Sequence, residues 1–358
     1  MNLSFSLKNL GATPEVCASF TPYADQGLTL ARVSLAIRGE YRLLDGENEY
    51  QAEATGALFY LATGAADLPA VGDWVAARVI SPSEAIVQAV LPRRSCFSRR
   101  AAGNREDEQI IAANIDTVFL VSGLDHDFNL RRVERYLTLA HESRADPVIV
   151  LNKADLCPDP EAIIATIAEI AAGVPIVAIS ARDHDGLEPI RPFLAAGRTV
   201  ALLGSSGVGK STLVNQLAGN DKLQTAAVRE ADSRGRHTTT HRELIVLPDN
   251  GGVLIDNPGM REIQLWAGED SLDETFNEIA TLAQGCRFPD CRHESEPGCA
   301  VRAALEVGQL DADRWTSYLK LRAEIRYHEV RSSHNAAAAQ KQKWKVIHKA
   351  MRHYKKHW

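Results

Sequence analysis

The sequence predicts a multidomain chain: an N-terminal β-barrel, a central doubly wound α/β domain with a phosphate-binding loop, and a C-terminal helical module that binds zinc. Three observations predict it. The first 95 residues break into short strands between turn-formers. From Thr117 to Ile255, apolar runs alternate with amphipathic helices. From about Ser271 the β pattern stops, and three cysteines and a histidine crowd into the stretch from Cys286 to Cys299. A chain of 358 residues is too long for one ordinary core. The expected divisions are 1–95, 96–270 and 271–358.

In the first division, Leu30–Arg38 partly alternates as a half-buried strand does, and further strands are expected near Gln51–Leu61, Asp73–Ile80 and Ala85–Leu91. Asp45-Gly46, Thr63-Gly64, Val71-Gly72 and Ser81-Pro82 supply turns. About five short strands in this length fit a small barrel, with the OB-fold as one candidate. That fold commonly binds oligonucleotides, and a purely structural barrel fits the pattern equally well. Residues 96–114 begin polar and basic and read as a linker.

The second division carries expected strands at Thr117–Gly123, Pro147–Leu151, Pro175–Ser180, Thr199–Leu203, Glu243–Leu247 and Gly252–Ile255. Most are continuous apolar runs, as strands covered on both faces are. Helices are expected at Leu130–Glu142, Pro160–Ala171 and Lys210–Ala218, and in the third division at Leu272–Ala283, Ala300–Val307, Ala312–Val330 and Gln340–His357.

Composition, at 45% apolar and 24% charged, is that of a soluble globular protein. No apolar run reaches the roughly 18–20 residues a membrane span needs. The start lacks a basic region followed by an apolar stretch and a cleavage site, so the cytoplasm is the expected compartment and no membrane partner is expected. Six cysteines are too few and too uneven for a disulfide scaffold. The net charge of −6 hides an asymmetry. Residues 331–358 hold eight Lys or Arg and no carboxylate, leaving 32 basic and 46 acidic side chains elsewhere, a balance of −14. An acidic body with a basic tail points to a polyanionic partner at the tail.

Gly204-Ser205-Ser206-Gly207-Val208-Gly209-Lys210-Ser211 fits G-x-x-x-x-G-K-[ST] between an apolar strand and a helix that begins Lys210-Ser211-Thr212. Its glycines let backbone N–H groups converge on phosphates, Lys210 reaches the β- and γ-phosphates, and Ser211 holds Mg²⁺. Asp256, at the end of an apolar strand, suits the same ion, and Gly259 brings its N–H to the γ-phosphate. Asn152-Lys153-Ala154-Asp155 ends another strand. The Asp155 carboxylate can accept from guanine N1–H and the 2-amino group, whereas adenine would leave it facing a lone pair at a cost of about 1–3 kcal/mol. The Lys153 stem can lie against the base, and Asn152 can contact the base and tie neighbouring loops. Ser180-Ala181 can offer a backbone N–H to guanine O6.

The order is unusual. GTPases mostly present the P-loop, first switch, D-x-x-G, N-K-x-D and then S-A; here N-K-A-D and S-A come first. A circular permutation explains it, since termini of compact domains often lie close together. The segment after Asp256–Gly259 then leads straight into the C-terminal module. Between P-loop and D-N-P-G lies a first-switch candidate, Asp232–Thr240, in which Thr238 or Thr239 is expected on Mg²⁺. Met260 stands where many GTPases carry a water-orienting glutamine, and methionine cannot do that work. His237 is the candidate replacement, with a reference pKa near neutrality.

Cys286-x4-Cys291-x-His293-x5-Cys299 offers a closed Cys₃His set, which suits structural rather than catalytic zinc. Lys341, Lys343, Lys345, Lys349, Arg352, Lys355 and Lys356 are interleaved with Trp344, Tyr354 and Trp358, a pattern for phosphate contact with base stacking.

Together these motifs resemble the circularly permuted, ribosome small-subunit-dependent GTPases, the RsgA family. The resemblance spans nearly the whole chain, from the barrel through N-K-A-D, G-S-S-G-V-G-K-S, G-R-H-T-T-T at 235–240 and D-N-P-G to the Cys₃His set. It implies an OB-fold, a permuted GTPase domain and a zinc module. It also implies binding to the 30S subunit and its 16S rRNA late in assembly, with GTP hydrolysed to GDP under stimulation by the subunit. The family's catalytic switch histidine maps onto His237. Asn257 departs from the family's more usual Thr or Ser. A monomer is expected of a factor that docks on one site. The competing readings are a GTP-driven switch for a non-ribosomal partner and a zinc-containing RNA-binding module with nucleotide-controlled affinity.

Overall fold

The computed structural model describes residues 7–37, 39–100, 108–126, 128–183, 185–219, 242–249, 251–256 and 268–327. The sequence opens with a helix its periodicity did not announce, α1 (Pro14–Ala24). Thr13 caps it by accepting from Val16 N at 3.4 Å, and Pro14 fills the first turn, where a missing N–H costs nothing.

Five strands then close on one another: β1 (Thr29–Ile37), β2 (Glu40–Leu44), β3 (Glu49–Ala54), β4 (Trp74–Ser81) and β5 (Glu84–Val90). The order is β1-β2-β3-β5-β4 with β4 returning to β1; β3 and β5 run parallel and the other pairs antiparallel. This is the expected barrel. Alternate side chains fill it, among them Val33, Tyr41, Leu43, Tyr50, Val75 and Val87. The expected strand over Gln51–Leu61 stops early. Thr55 accepts from Leu58 N at 3.3 Å and starts the short helix α2 (Gly56–Leu61).

The expected linker is also partly strand. β6 (Cys96–Arg100) pairs with β7 (Glu108–Ala113) in a two-stranded sheet, and Phe97, Ile110 and Ile111 are buried there despite the basic surroundings.

The α/β part follows as β8 (Thr117–Gly123), α3 (Leu130–Ser143), β9 (Asp146–Asn152), α4 (Pro160–Ile170), β10 (Ile176–Ala178), β11 (Thr199–Leu203), α5 (Lys210–Ala218), β12 (Glu243–Val246) and β13 (Val253–Asp256). Its sheet order is β10-β9-β8-β11-β13-β12, parallel except for β12 against β13. β8, β11 and β13 are buried along their whole length, as their unbroken apolar runs require. β11, late in the chain, fills the slot between β8 and β13. The carboxyl ends of all the parallel strands therefore share one edge, where ligands of such sheets bind.

Barrel and sheet join within one unit. Leu35 of β1 pairs with Glu243 of β12. Arg32, 1% exposed, donates to Gly72 O at 3.2 Å and Asn114 O at 3.1 Å and also to Leu10 O. Burial lowers its pKa to about 10, which still leaves it charged at neutral pH.

The chain divides into two compact units, Met1–Arg99 with Asp107–Gln264, and Arg100–Glu106 with Leu265–Trp358. The second holds α6 (Glu269–Thr275), α7 (Asn277–Ala283), α8 (Ala300–Glu306) and a helical stretch over 312–327. The single helix expected over Leu272–Ala283 breaks at Phe276, whose backbone leaves helical values at φ −115 and ψ 46. Its ring is fully buried, with Arg314 stacked 4.1 Å above it and Tyr318 edge-on at 5.6 Å. Among the described residues no helix is long and apolar enough to cross a membrane.

Candidate nucleotide site and metal centre

The phosphate loop follows β11. Gly207 and Gly209 adopt φ of 79 and 93, values that L side chains rarely take. Closeness matters as much as conformation. A Cβ on Gly204 would lie 2.3 Å from Val121 O, and one on Gly209 would lie 2.2 Å from Asn152 Nδ2. Lys210 folds over the loop, its Nζ donating to Gly204 O and Ser205 O at 2.6 Å each. Ser206, Ser211 and Thr212 are half-buried beside it, Val208 is buried beneath it, and Asp256 is buried at the end of neighbouring β13.

Asn152 joins three loops. Its Nδ2 donates to Val208 O at 2.8 Å, and its Oδ1 accepts from Ala181 N at 3.0 Å. Only a side chain that both donates and accepts can make this tie. Ala154 N donates to Ile179 O at 3.0 Å, which sets the N-K-A-D turn against the strand end before Ser180-Ala181. Ser180 Oγ lies 2.8 Å from both Asp155 Oδ1 and Asp183 Oδ2, so one hydroxyl proton is shared between two carboxylates. Asp155 itself is exposed, open to an incoming base.

Two residues that the sequence reading did not single out enter here. Asp125, just past β8, forms an ion pair with Lys153 Nζ. Arg132, in α3, donates from Nη1 to Ser205 Oγ at 2.8 Å. No motif marks either one. Their signal is position, because the segment after β8 leaves the sheet at the same edge as the other loops. His237, Thr238, Thr239, Asn257, Gly259, Met260 and the basic tail lie outside the described residues.

In the second unit the four metal-ligand candidates converge. One ligand atom from each of Cys286, Cys291, His293 and Cys299 lies within 4.8 Å of all the others. His293 Nδ1 is 3.6 Å from Cys286 Sγ and 3.4 Å from Cys299 Sγ. A tetrahedral zinc with ordinary bond lengths would place S and N about 3.5 Å apart, so the set fits that ion. The backbone builds the cage. His293 sits at φ 64, Arg287 N donates to Gly298 O, and Cys299 Sγ caps α8 by accepting from Arg302 N at 3.4 Å. Trp315 meets the His293 ring edge-on at 5.9 Å. Burial works against the Cys286 thiolate, yet the N–H groups of Ala300 and Val301 bring its pKa below the usual thiol value. Burial and the neighbouring Cys299 and Cys286 thiols push Cys291 up to about 11.

The chain matches the family model described as RsgA GTPase over residues 90–266. It is 48% identical to the small ribosomal subunit biogenesis GTPase RsgA of Opitutus terrae over 357 residues, covering 97% of each chain. It is 47% identical to RsgA 2 of Lactiplantibacillus plantarum, covering 92% of each. Among solved structures it is similar to YjeQ from Thermotoga maritima, with TM-score 0.63 and 25% identity over 83% of this chain and 98% of that one. It is likewise similar to YloQ, a circularly permuted GTPase, with TM-score 0.60 and 26% identity over 84% of this chain and 95% of that one. A permuted sheet order, a P-loop tied to N-K-A-D by one asparagine, and relatives of this identity over almost their whole length lead to one conclusion: the chain belongs to the RsgA GTPase family.

Proposed function

We propose that this protein hydrolyses GTP to GDP and phosphate, and that it does so on the small ribosomal subunit, whose late assembly it assists and which stimulates its turnover. The observation that carries the reading is the tie made by Asn152, which gathers the N-K-A-D, S-A and phosphate loops at one sheet edge. The names of the relatives supply the ribosomal part.

In this reading Asp155 selects guanine, Lys153 and Ala181 flank and cap the base, and Gly204–Thr212 cradle the phosphates with the N-terminus of α5 behind them. Lys210 then exchanges loop carbonyls for phosphate oxygens. Ser211, Asp256 and one of Thr238 or Thr239 hold Mg²⁺, which offsets the negative charge of the phosphates when bound. Gly259 donates its N–H to the γ-phosphate. His237 accepts from the attacking water and orients it, the work Met260 cannot do. Cys286, Cys291, His293 and Cys299 hold a structural zinc ion, with no open position for substrate. The barrel at 1–95, the GTPase domain at 96–270 and the zinc module with its basic tail at 271–358 act as a cytoplasmic monomer, the tail meeting 16S rRNA.

The test is GTP turnover with and without purified small subunits, repeated with His237→Ala. Stimulation by the subunits that is lost in the variant is the expected outcome. No stimulation would favour a non-ribosomal partner, and equal turnover in the variant would remove His237 from the mechanism.

A further inference from the structure

The outer face of the barrel carries a groove of about 460 Å³ between the β1–β2 and β4–β5 turns, crossing β2 and β3. Barrels of this topology take extended ligands on that face. Its chemistry here is wrong for a phosphate backbone. Ile37, Ile80 and Ile86 give it an apolar floor, and Ile80 is 57% exposed. Glu40, Glu53 and Glu84 line it as exposed carboxylates. Glu40 stands directly opposite Glu53 across β2 and β3, a placement in which like charges repel. Among the described residues the lining arginine is Arg42, already engaged with Glu49 at 3.0 Å and Glu243 at 3.8 Å. Arg78, directly opposite Ile86 across β4 and β5, shares its face but does not line the groove. The whole stretch 28–91 holds four arginines, no lysine and eight carboxylates.

We propose that this groove docks an extended lysine- and arginine-bearing polypeptide segment of a partner protein, its apolar side chains on the isoleucine floor and its cations on the three carboxylates. A bound cation between Glu40 and Glu53 would turn a repulsion into two attractions, and the isoleucines would lose their exposure to water. Alternate residues of an extended strand point the same way, so one segment can present both kinds of side chain to floor and rim. The inference goes beyond nucleotide hydrolysis and does not depend on it.

The experiment titrates the full-length protein against a labelled peptide of alternating basic and aliphatic residues, and separately against labelled oligouridylate of the same length. Both titrations are repeated with the triple variant Glu40→Gln, Glu53→Gln, Glu84→Gln and with Ile80→Ser. Circular dichroism and basal GTP turnover, which these residues do not serve, check that each variant folds. The triple variant is expected to weaken the peptide about tenfold, three rim pairs being lost together. Ile80→Ser should weaken it severalfold, and neither change should weaken oligouridylate. Peptide affinity unchanged in both folded variants would overturn the proposal. So would loss of oligouridylate binding in the triple variant, which would assign the groove to a nucleic-acid strand.

Discussion

The nucleotide site and the cysteine cluster each gather residues distant in sequence, and they do so by opposite means. Around the phosphate loop the scaffold does the gathering. β8, β11 and β13 are buried on both faces, and their ends place the loops before any side chain makes a bond. Asn152 then adds two hydrogen bonds to an arrangement already built. The cysteine cluster has no such floor. Short helices and a few rings surround it, and Cys286, Cys291 and His293 are only half-buried where their ligand atoms meet. One site is preorganised by packing; the other, in the proposed reading, would be organised by the ion it binds.

The largest effect expected from that contrast is in the cluster. Replacing Cys299 with Ser, or chelating the metal, should melt the second unit, because apparent zinc-binding free energies of about 10 kcal/mol become folding free energy in small domains. Circular dichroism melts with and without chelator measure it, and identical melts would show that packing alone suffices. Next is Asn152→Ala. It strands Val208 O and Ala181 N, each worth about 1–3 kcal/mol when buried and unpaired, so GTP affinity should fall about a hundredfold by calorimetry. The first unit should stay folded, since the sheet does not need the tie. Unfolding of the variant would sink the claim that packing precedes bonding. The smallest effect is Asp125→Asn. Asp125 and Lys153 are about a quarter exposed, so losing the pair should cost about 0.5–1 kcal/mol of nucleotide affinity, less at high salt. A loss that ignored salt would mean Asp125 acts through something other than charge.

Among the described residues, the strands and helices that carry the nucleotide motifs were readable because the motifs lie within a few positions of a strand end. Thr199–Leu203 and Lys210–Ala218 lie where the apolar run and the glycines put them. The cysteine spacing was equally plain, since ligand chemistry leaves few alternatives. The misses have distinct causes. At Gln51–Leu61 a strand and a helix abut without a break in hydrophobicity, and the Thr55 cap was the one local sign of the change. Arginines around β6 and β7 masked two strands whose burial depends on what packs over them. Phe276 breaks a helix to bury its ring, a tertiary effect with no local mark. Asp125 and Arg132 act on partners 28 and 73 residues away, which only the sheet order brings near.

That sheet order also has a history in time. The ribosome delivers β8, β9 and β10, with the guanine-reading loops, before the phosphate loop exists. About a hundred residues separate Asn152 from Asp256, or roughly 5–20 s of synthesis. Until β11 arrives to fill its slot, the edge of β8 has no partner strand on that side, and no nucleotide can reward the half-built sheet. A GTPase that begins with its phosphate loop has the central strand from the start. This chain must keep an apolar strand edge from finding the wrong partner first, so its yield during rapid synthesis should depend on chaperones more than its finished stability would suggest.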